Sequence, residues 1–363
     1  MTIGQITDFL DARVPLALQE SYDNAGLLVG NKDHEAGAAL ICLDVTHGVL
    51  DEAIEKGCRL IISHHPLIFK PLKSITGKTE TEQIIMRAIR HDLAIYAIHT
   101  NLDNLHHGVS MALADALGLK GMRVLRPLQG NLRKLVTFCP LSHAAAVRDA
   151  MFNAGAGNIG QYDSCSFNLE GKGTFRALEG SNPYVGLVGD VHEEAETRIE
   201  VVFPNWKQTR IINAMMQAHP YEEVAYDVYP LLNEDPYLGS GMIGELEDPT
   251  EPEAFLLHVK STLGIPVLRH SLIGPSKLKK IALCGGSGAF LIPDARRQGA
   301  DIFLSGDFKY HDFQALGGML LADIGHFESE QFALHLLKDW LSNNFPNFAA
   351  HITSTNTNPV YYL

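Results

Sequence analysis

Gly57-Cys-Arg-Leu-Ile-Ile-Ser63, followed directly by His64-His65-Pro66, is an apolar run that ends in two adjacent imidazoles. Leu60, Ile61 and Ile62 read as a short strand buried on both faces, the pattern of a parallel sheet covered by helices. The same character returns, position by position, at Gly299-Ala-Asp-Ile-Phe-Leu-Ser305. A strand and then a helix precede each run, with Ile41-Cys-Leu43 in one place and Ile281-Ala-Leu283 in the other. After each comes a further strand ending in a histidine with a carboxylate four positions on: His99 and Asp103, then His326 and Glu330. Generic strand–helix units account for the apolar match, but not for the shared serine and the shared His-to-carboxylate spacing. The chain is therefore read as α/β, with two related α/β lobes forming a metal cleft at the strand carboxyl ends.

Between the lobes the pattern changes. Leu135–Phe138, Tyr162–Phe167, an alternating run around Ile199–Phe203, and Val224–Val228 read as strands. A helix from Ser142 to about Ala154 follows the first, and one containing Ile211, Ile212, Met215 and Met216 precedes the last. The order strand–helix–strand–strand–helix–strand is that of a ferredoxin-like α+β domain inserted between the lobes. The expected boundaries are 1–128 for the first lobe, 129–231 for the insert and 232–363 for the second lobe. Pro230 to Ser240 reads as the linker back.

Composition narrows the function classes. The chain has 363 residues, 46% of them apolar and 20% charged, which suits a soluble globular protein with a sizeable core. The formal net charge of −13 argues against nucleic acid as a partner, since phosphate binding needs clustered Lys and Arg. Five widely spaced cysteines with no Cys-x-x-Cys argue against disulfides and thiolate zinc sites. No apolar stretch is long enough to span a membrane, and Met1–Leu16 has no signal-peptide pattern. The expected compartment is the cytoplasm.

Neutral imidazoles and carboxylates gathered on loops at strand ends are ligands for a divalent cation. Side chains of the adjacent His64 and His65 diverge, so two neighbouring ions take one each more easily than a single ion takes both. A carboxylate has two oxygens and can bridge them. Glu330 is the candidate bridge, with His326 on one ion and Asp103 on the other. Each residue also has a plainer reading: a structural loop for His64-His65, helix capping for Asp103, a helix-dipole contact for Glu330. His99 is placed as a ligand, a group supporting a ligand, or a proton carrier. His311, in Gly306-Asp-Phe-Lys-Tyr-His311, occupies the position that His64-His65 holds in the first lobe. It is a candidate general acid or base, or a partner for a backbone group. His47, His143, His258 and His270 read as surface or packing residues. Gly285-Gly-Ser-Gly288 reads as a tight turn, with anion binding by its amides the alternative.

Tyr22-Asp-Asn-Ala-Gly-Leu-Leu-Val-Gly30, Leu43-Asp-Val-Thr46, Ser63-His-His-Pro-Leu-Ile-Phe-Lys70, His99-Thr-Asn-Leu-Asp103, Ser305-Gly-Asp-Phe-Lys-Tyr-His311 and Gly325-His-Phe-Glu-Ser-Glu330 together resemble the Nif-three-like dinuclear-metal family, also labelled GTP cyclohydrolase I type 2 homologue. The resemblance covers both outer segments. It implies a toroidal homohexamer with two divalent ions per subunit, held by His64, His65, Asp103, His326 and Glu330. The middle segment, with His219-Pro-Tyr-Glu-Glu223, resembles the insert of the longer bacterial members, which is like nitrogen-regulator and copper-tolerance domains. Zn, Fe, Mn, Co and Ni all suit the ligand types. Two functions are expected: a metal-dependent hydrolase acting on a nucleotide-like or other small substrate, with His99 or His311 handling protons, or a non-enzymatic metal- or effector-binding regulatory ring or scaffold.

Overall fold

The structure, a computed structural model, describes residues 1–274, 276–314 and 317–363. Two compact units divide the chain: Met1–Pro127 with Pro236–Leu363, and Leu128–Asp235. In chain order the first unit begins α1 (Ile3–Arg13), β1 (Gly26–Val29), β2 (Ala39–Cys42), α2 (His47–Glu55), β3 (Leu60–Ser63), α3 (Glu80–Arg90), β4 (Ala94–Ala97), α4 (Thr100–Asp103), α5 (Val109–Ala116) and β5 (Lys120–Gln129). The second unit holds β6 (Leu132–Pro140), α6 (Ala144–Asn153), β7 (Phe167–Arg176), β8 (Val191–Pro204), α7 (Gln208–Ala218) and β9 (Tyr226–Pro230). The chain returns through β10 (Glu234–Thr250), α8 (Pro252–Leu263), β11 (Arg269–His270), β12 (Leu278–Ser287), α9 (Ile292–Arg297), β13 (Ile302–Gly306), β14 (Leu320–Asp323), α10 (His326–Glu330), α11 (Phe332–Asn344) and β15 (Ala350–Ile352).

The first unit contains two sheets whose first four strands match in order. One runs β1-β4-β3-β2-β15 and the other β11-β14-β13-β12-β10-β5. In the first, β2, β3 and β4 are parallel, with β1 antiparallel to β4. In the second, β12, β13 and β14 are parallel, with β11 antiparallel to β14. The repeated stretches Leu60–Ser63 and Ile302–Gly306 thus hold the same central position in their sheets.

Continuous apolar runs become strands here because both faces are covered. Alternate residues of the first sheet divide between two cores. Ile41, Leu60, Ile62 and Tyr96 pack with Ile6 and Leu10 of α1 and Leu337 of α11. Leu40, Ile61 and Ile95 pack with Leu50 of α2 and Ile85 of α3. The second sheet sets Ile281, Ile302 and Leu304 against Leu113 of α5 and Phe255 and Val259 of α8. Its other face sets Ala282, Phe303 and Leu321 against Leu291 and Ala295.

The second unit is one antiparallel sheet in the order β7-β8-β6-β9 with α6 and α7 packed on one face. Leu135, Ile199, Val201 and Phe203 meet Val147, Met151, Ile211 and Met215 there.

Two expected boundaries are corrected. The strand expected at 162–167 starts where that range ends, at Phe167. Ser164 takes a left-handed φ of 54° and the Cys165 amide turns back to the Gly157 carbonyl at 2.8 Å, so pairing begins only with Phe167 opposite Glu200. The segment read as a linker, 230–240, is largely strand, because β10 begins at Glu234. Its one glycine serves close strand approach rather than turning: a Cβ on Gly239 would lie 2.0 Å from the Arg126 carbonyl. All five cysteines are free. No described helix is long and apolar enough to cross a membrane.

Candidate metal centre

The parallel strands of both sheets in the first unit deliver polar side chains from their carboxyl ends, the usual place for an α/β site. His64 and His65 follow β3, His99 lies two residues past β4, and His326 opens α10 just beyond β14. Asp103 ends α4 and Glu330 ends α10.

Each imidazole is oriented by a bond at Nδ1. His64 Nδ1–H donates to the Ile98 carbonyl at 2.8 Å. His65 Nδ1 faces Asp44 Oδ1 at 2.8 Å, and His326 Nδ1 faces Asp307 Oδ2 at 2.7 Å. His99 Nδ1 faces Asp23 Oδ1 at 2.8 Å, while Asp23 Oδ2 accepts the Thr100 amide at 3.0 Å. A carbonyl or carboxylate at Nδ1 fixes the tautomer and turns the Nε2 lone pair outward, the arrangement that supports a metal ligand.

Glu330 lies at the focus. Its Oε2 is 3.0 Å from His65 Nε2 and 3.3 Å from His326 Nε2, and those two nitrogens are 3.3 Å apart. Its Oε1 is 3.6 Å from His64 Nε2, which is also 3.6 Å from Asp103 Oδ1. Three groups of side chains could each hold a metal ion: His64, His65 and His99; His65, His326 and Glu330; His64, Asp103 and Glu330. His64 Nε2 and Asp103 Oδ1 are buried without any hydrogen-bond partner. Buried polar atoms are rarely left so, because desolvation without a partner costs free energy. A cation between them satisfies both, so the donor set fits a divalent metal.

The electrostatics carry the same signature. Burial alone would make His65 harder to protonate, but Asp44 and Glu330 outweigh it and push its pKa up to about 10. Burial likewise opposes protonation of His326, and Glu330 and Asp307 still raise it to about 9. Burial raises Asp103, with His64 opposing and Glu330 adding to the rise. Burial would raise Glu330 too, yet His64, His326 and His65 hold it well below the ordinary carboxylate value. The site is built around concentrated negative charge that calls for positive charge beside it.

The plainer readings of the carboxylates lose ground. Asp103 ends its helix and its Oδ1 bonds nothing, so it is not a cap. Glu330 stands at the carboxyl end of α10, where the helix dipole disfavours a carboxylate. Gly285–Gly288 is neither a simple turn nor an anion cradle. The Gly286 amide donates to Ser329 Oγ at 2.9 Å and the Gly288 amide to Ser305 Oγ at 2.9 Å. Gly286, at φ +64°, leaves room for Glu330, whose Oε1 would be 2.2 Å from an added Cβ.

His64, His65, His99, Asp103, His326 and Glu330 thus come together, whereas His311 is exposed on the Tyr310–Phe313 turn with its ring against Tyr310. Sequence reading missed the work of Asp23, Asp44 and Asp307. A usable signal existed for two of them: Asp44 and Asp307 stand just past β2 and β13, one acid beyond a buried strand in each sheet.

The sequence profile of Duf34/NIF3 (NGG1p interacting factor 3) matches residues 1–359. A Halalkalibacterium halodurans protein named GTP cyclohydrolase 1 type 2 homolog is 43% identical over 86% of this chain and 85% of its own length. A Bacillus subtilis protein of the same name is 38% identical over 99% of this chain and 98% of its own. The solved structure of a Bacillus cereus protein related to NIF3 superposes with a TM-score of 0.86 at 38% identity, covering 100% of this chain and 99% of that one.

Proposed function

This chain belongs to the Duf34/NIF3 family, and from that premise we propose that it is a dinuclear-metal hydrolase acting on a small, nucleotide-like substrate. His65, His326 and Glu330 would hold one ion and His64, Asp103 and Glu330 the other, Glu330 being common to both groups. The observation that carries this reading is the pairing of Glu330: one oxygen faces His65 and His326, the other faces His64, beside two buried acceptors that lack any partner. When bound, a divalent pair lowers the pKa of water and polarises a phosphoryl or carbonyl oxygen. His99, oriented by Asp23, presents Nε2 as the proton carrier. His311, on its exposed turn, serves the same role only for a substrate that reaches it.

Two aromatic rings support a substrate with a planar base. Phe69 stands 6.3 Å from the His99 ring, and Tyr22 stands 6.3 Å from Phe69. Both are well exposed, at 45% and 63%, and Asn24 ties their loops together by donating to the Ile68 carbonyl at 2.6 Å. GTP, named in the relatives' description, is the first substrate to assay.

The homohexamer is part of the same proposal, as is a ferredoxin-like reading of the second unit. The test begins with elemental analysis of purified protein, where two divalent ions per chain are expected. Chelated protein is then reloaded in turn with Zn, Mn, Co, Fe or Ni and assayed with GTP and other nucleotides. Turnover restored by metal and abolished in both Glu330→Gln and His65→Ala supports the reading. Turnover that survives both substitutions overturns it.

A further inference from the structure

The second unit has a cavity of its own, unrelated to the histidine cluster. It occupies 760 Å³ and opens on the sheet face opposite α6 and α7. That size suits a small molecule. Its floor comes from alternate residues of the sheet. Glu196 pairs with Gly171 across β7 and β8, and Arg198 pairs with Phe138 across β8 and β6. Gly171 and Gly173 keep the floor low: nothing lies within 4 Å of a Cβ added at Gly171, and one at Gly173 would be 2.1 Å from Glu196 Oε2.

One wall is aromatic. Tyr221 lies between Phe175 and Tyr184, with ring centroids 6.1 and 6.3 Å away. Tyr221 Oη–H donates to Glu196 Oε1 at 2.8 Å, which locks both side chains. Burial and the Glu196 carboxylate both raise the Tyr221 pKa, so the phenol stays a donor.

The charge balance decides what the cavity accepts. Four carboxylates line it, Glu170, Glu196, Glu222 and Glu223, against three cations, Lys172, Arg176 and Arg198. Arg198 is already paired with Glu200 and Lys172 with Glu193. Glu196 is only 9% exposed, and no cationic side chain among the described residues pairs with it. A buried carboxylate without a cation is costly unless a ligand supplies one. The aromatic rings beside it, with Phe175 and Tyr184 tilted 57° and 47° to Tyr221, offer one face for stacking and further edges around it, which favours a planar cation by stacking and cation–π attraction.

We propose that this cavity binds a small flat organic cation, an aryl amidine or amino-substituted nitrogen heterocycle, stacked on Tyr184 with Tyr221 tilted against it and its charged N–H edge on Glu196. This site is independent of the metal reading. Nothing in the first unit is needed for it.

The test uses the full chain and three probes of one shape: benzamidine as the cation, benzamide as the neutral isostere and benzoate as the anion. Each is titrated while ligand resonances are followed by NMR. Benzamidine is expected to bind saturably in the millimolar range, as a fragment of its size does. Benzamide should bind about tenfold more weakly, for loss of the charge-assisted hydrogen bond, and benzoate more weakly still. Glu196→Gln should bring benzamidine down to the level of benzamide. Tyr184→Ala, at an exposed loop position, should weaken it several-fold without touching the fold. Chelator should leave the affinity unchanged, which separates this site from the histidine cluster. The proposal is overturned by absent saturable binding, by benzamidine binding no tighter than benzamide, by unchanged affinity in both variants, or by loss of binding on chelation.

Discussion

Two glycine-to-alanine substitutions separate backbone strain from damage to the proposed metal centre. Gly286 and Gly299 both have positive φ, +64° and +70°. In that region a side chain costs about 1–2 kcal/mol, so both variants should lose about that much stability. Their surroundings differ completely. A Cβ at Gly299 meets nothing within 4 Å, whereas one at Gly286 lies 2.2 Å from Glu330 Oε1. Ordinary carbon–oxygen contact is about 3.3 Å, so the carboxylate must retreat by about 1 Å. Glu330 is 3% exposed and held by His65 and His326, so it has no free path outward. Metal ligands tolerate displacement of only about 0.2 Å. Gly286→Ala should therefore lose about 100-fold in affinity for a divalent cation, while Gly299→Ala keeps the affinity of the parent. Calorimetric titration of Zn or Mn into chelated protein measures the affinities, and thermal unfolding measures the stabilities. Parent-like binding by Gly286→Ala, or equal loss in both variants, would refute the assignment of Glu330 as the central ligand.

Chelated protein should lose stability as pH rises. The folded-state values of His326 and His65, about 9 and about 10, lie above the ordinary imidazole value of 6.5. Their contribution is thus fully present below pH 6.5 and disappears as pH climbs through 9 and 10. The unfolding midpoint followed across pH 6 to 10.5 in chelator checks this, and a flat profile would contradict it. Asp307→Asn removes the carboxylate that orients His326 and should weaken metal binding by about 10- to 100-fold. A parent-like affinity in that variant would show that the His326 ring is oriented by other contacts.

The two sheets of the first unit were legible because their central strands are buried on both faces. Leu60–Ile62 and Ile302–Leu304 are apolar without interruption, and such a run between a helix signal and a histidine has few other readings. The histidines and the carboxylates four positions on were legible for a related reason: chemistry-bearing residue types recurred at one spacing in both lobes. The resemblance to a known family added the same five positions as ligands. Strand limits in the second unit were harder to read. Mixed stretches such as 162–176 and 230–240, where polar residues and an occasional glycine interrupt the apolar ones, look alike whether they turn or pair, and only the partner strand decides. Ser164 turns the chain, while Gly239 lets β10 approach β5.

By itself the sequence determined which residue types sit at strand ends, since burial and periodicity are written locally. Tertiary structure alone decided that Asp23, Asp44 and Asp307 orient three of the imidazoles, that Gly286 yields space to Glu330, and that His311 stays apart. Those are relations between atoms far apart in the chain. Distances of about 3 Å between such groups follow from how packed helices and sheets come to rest, not from any local preference.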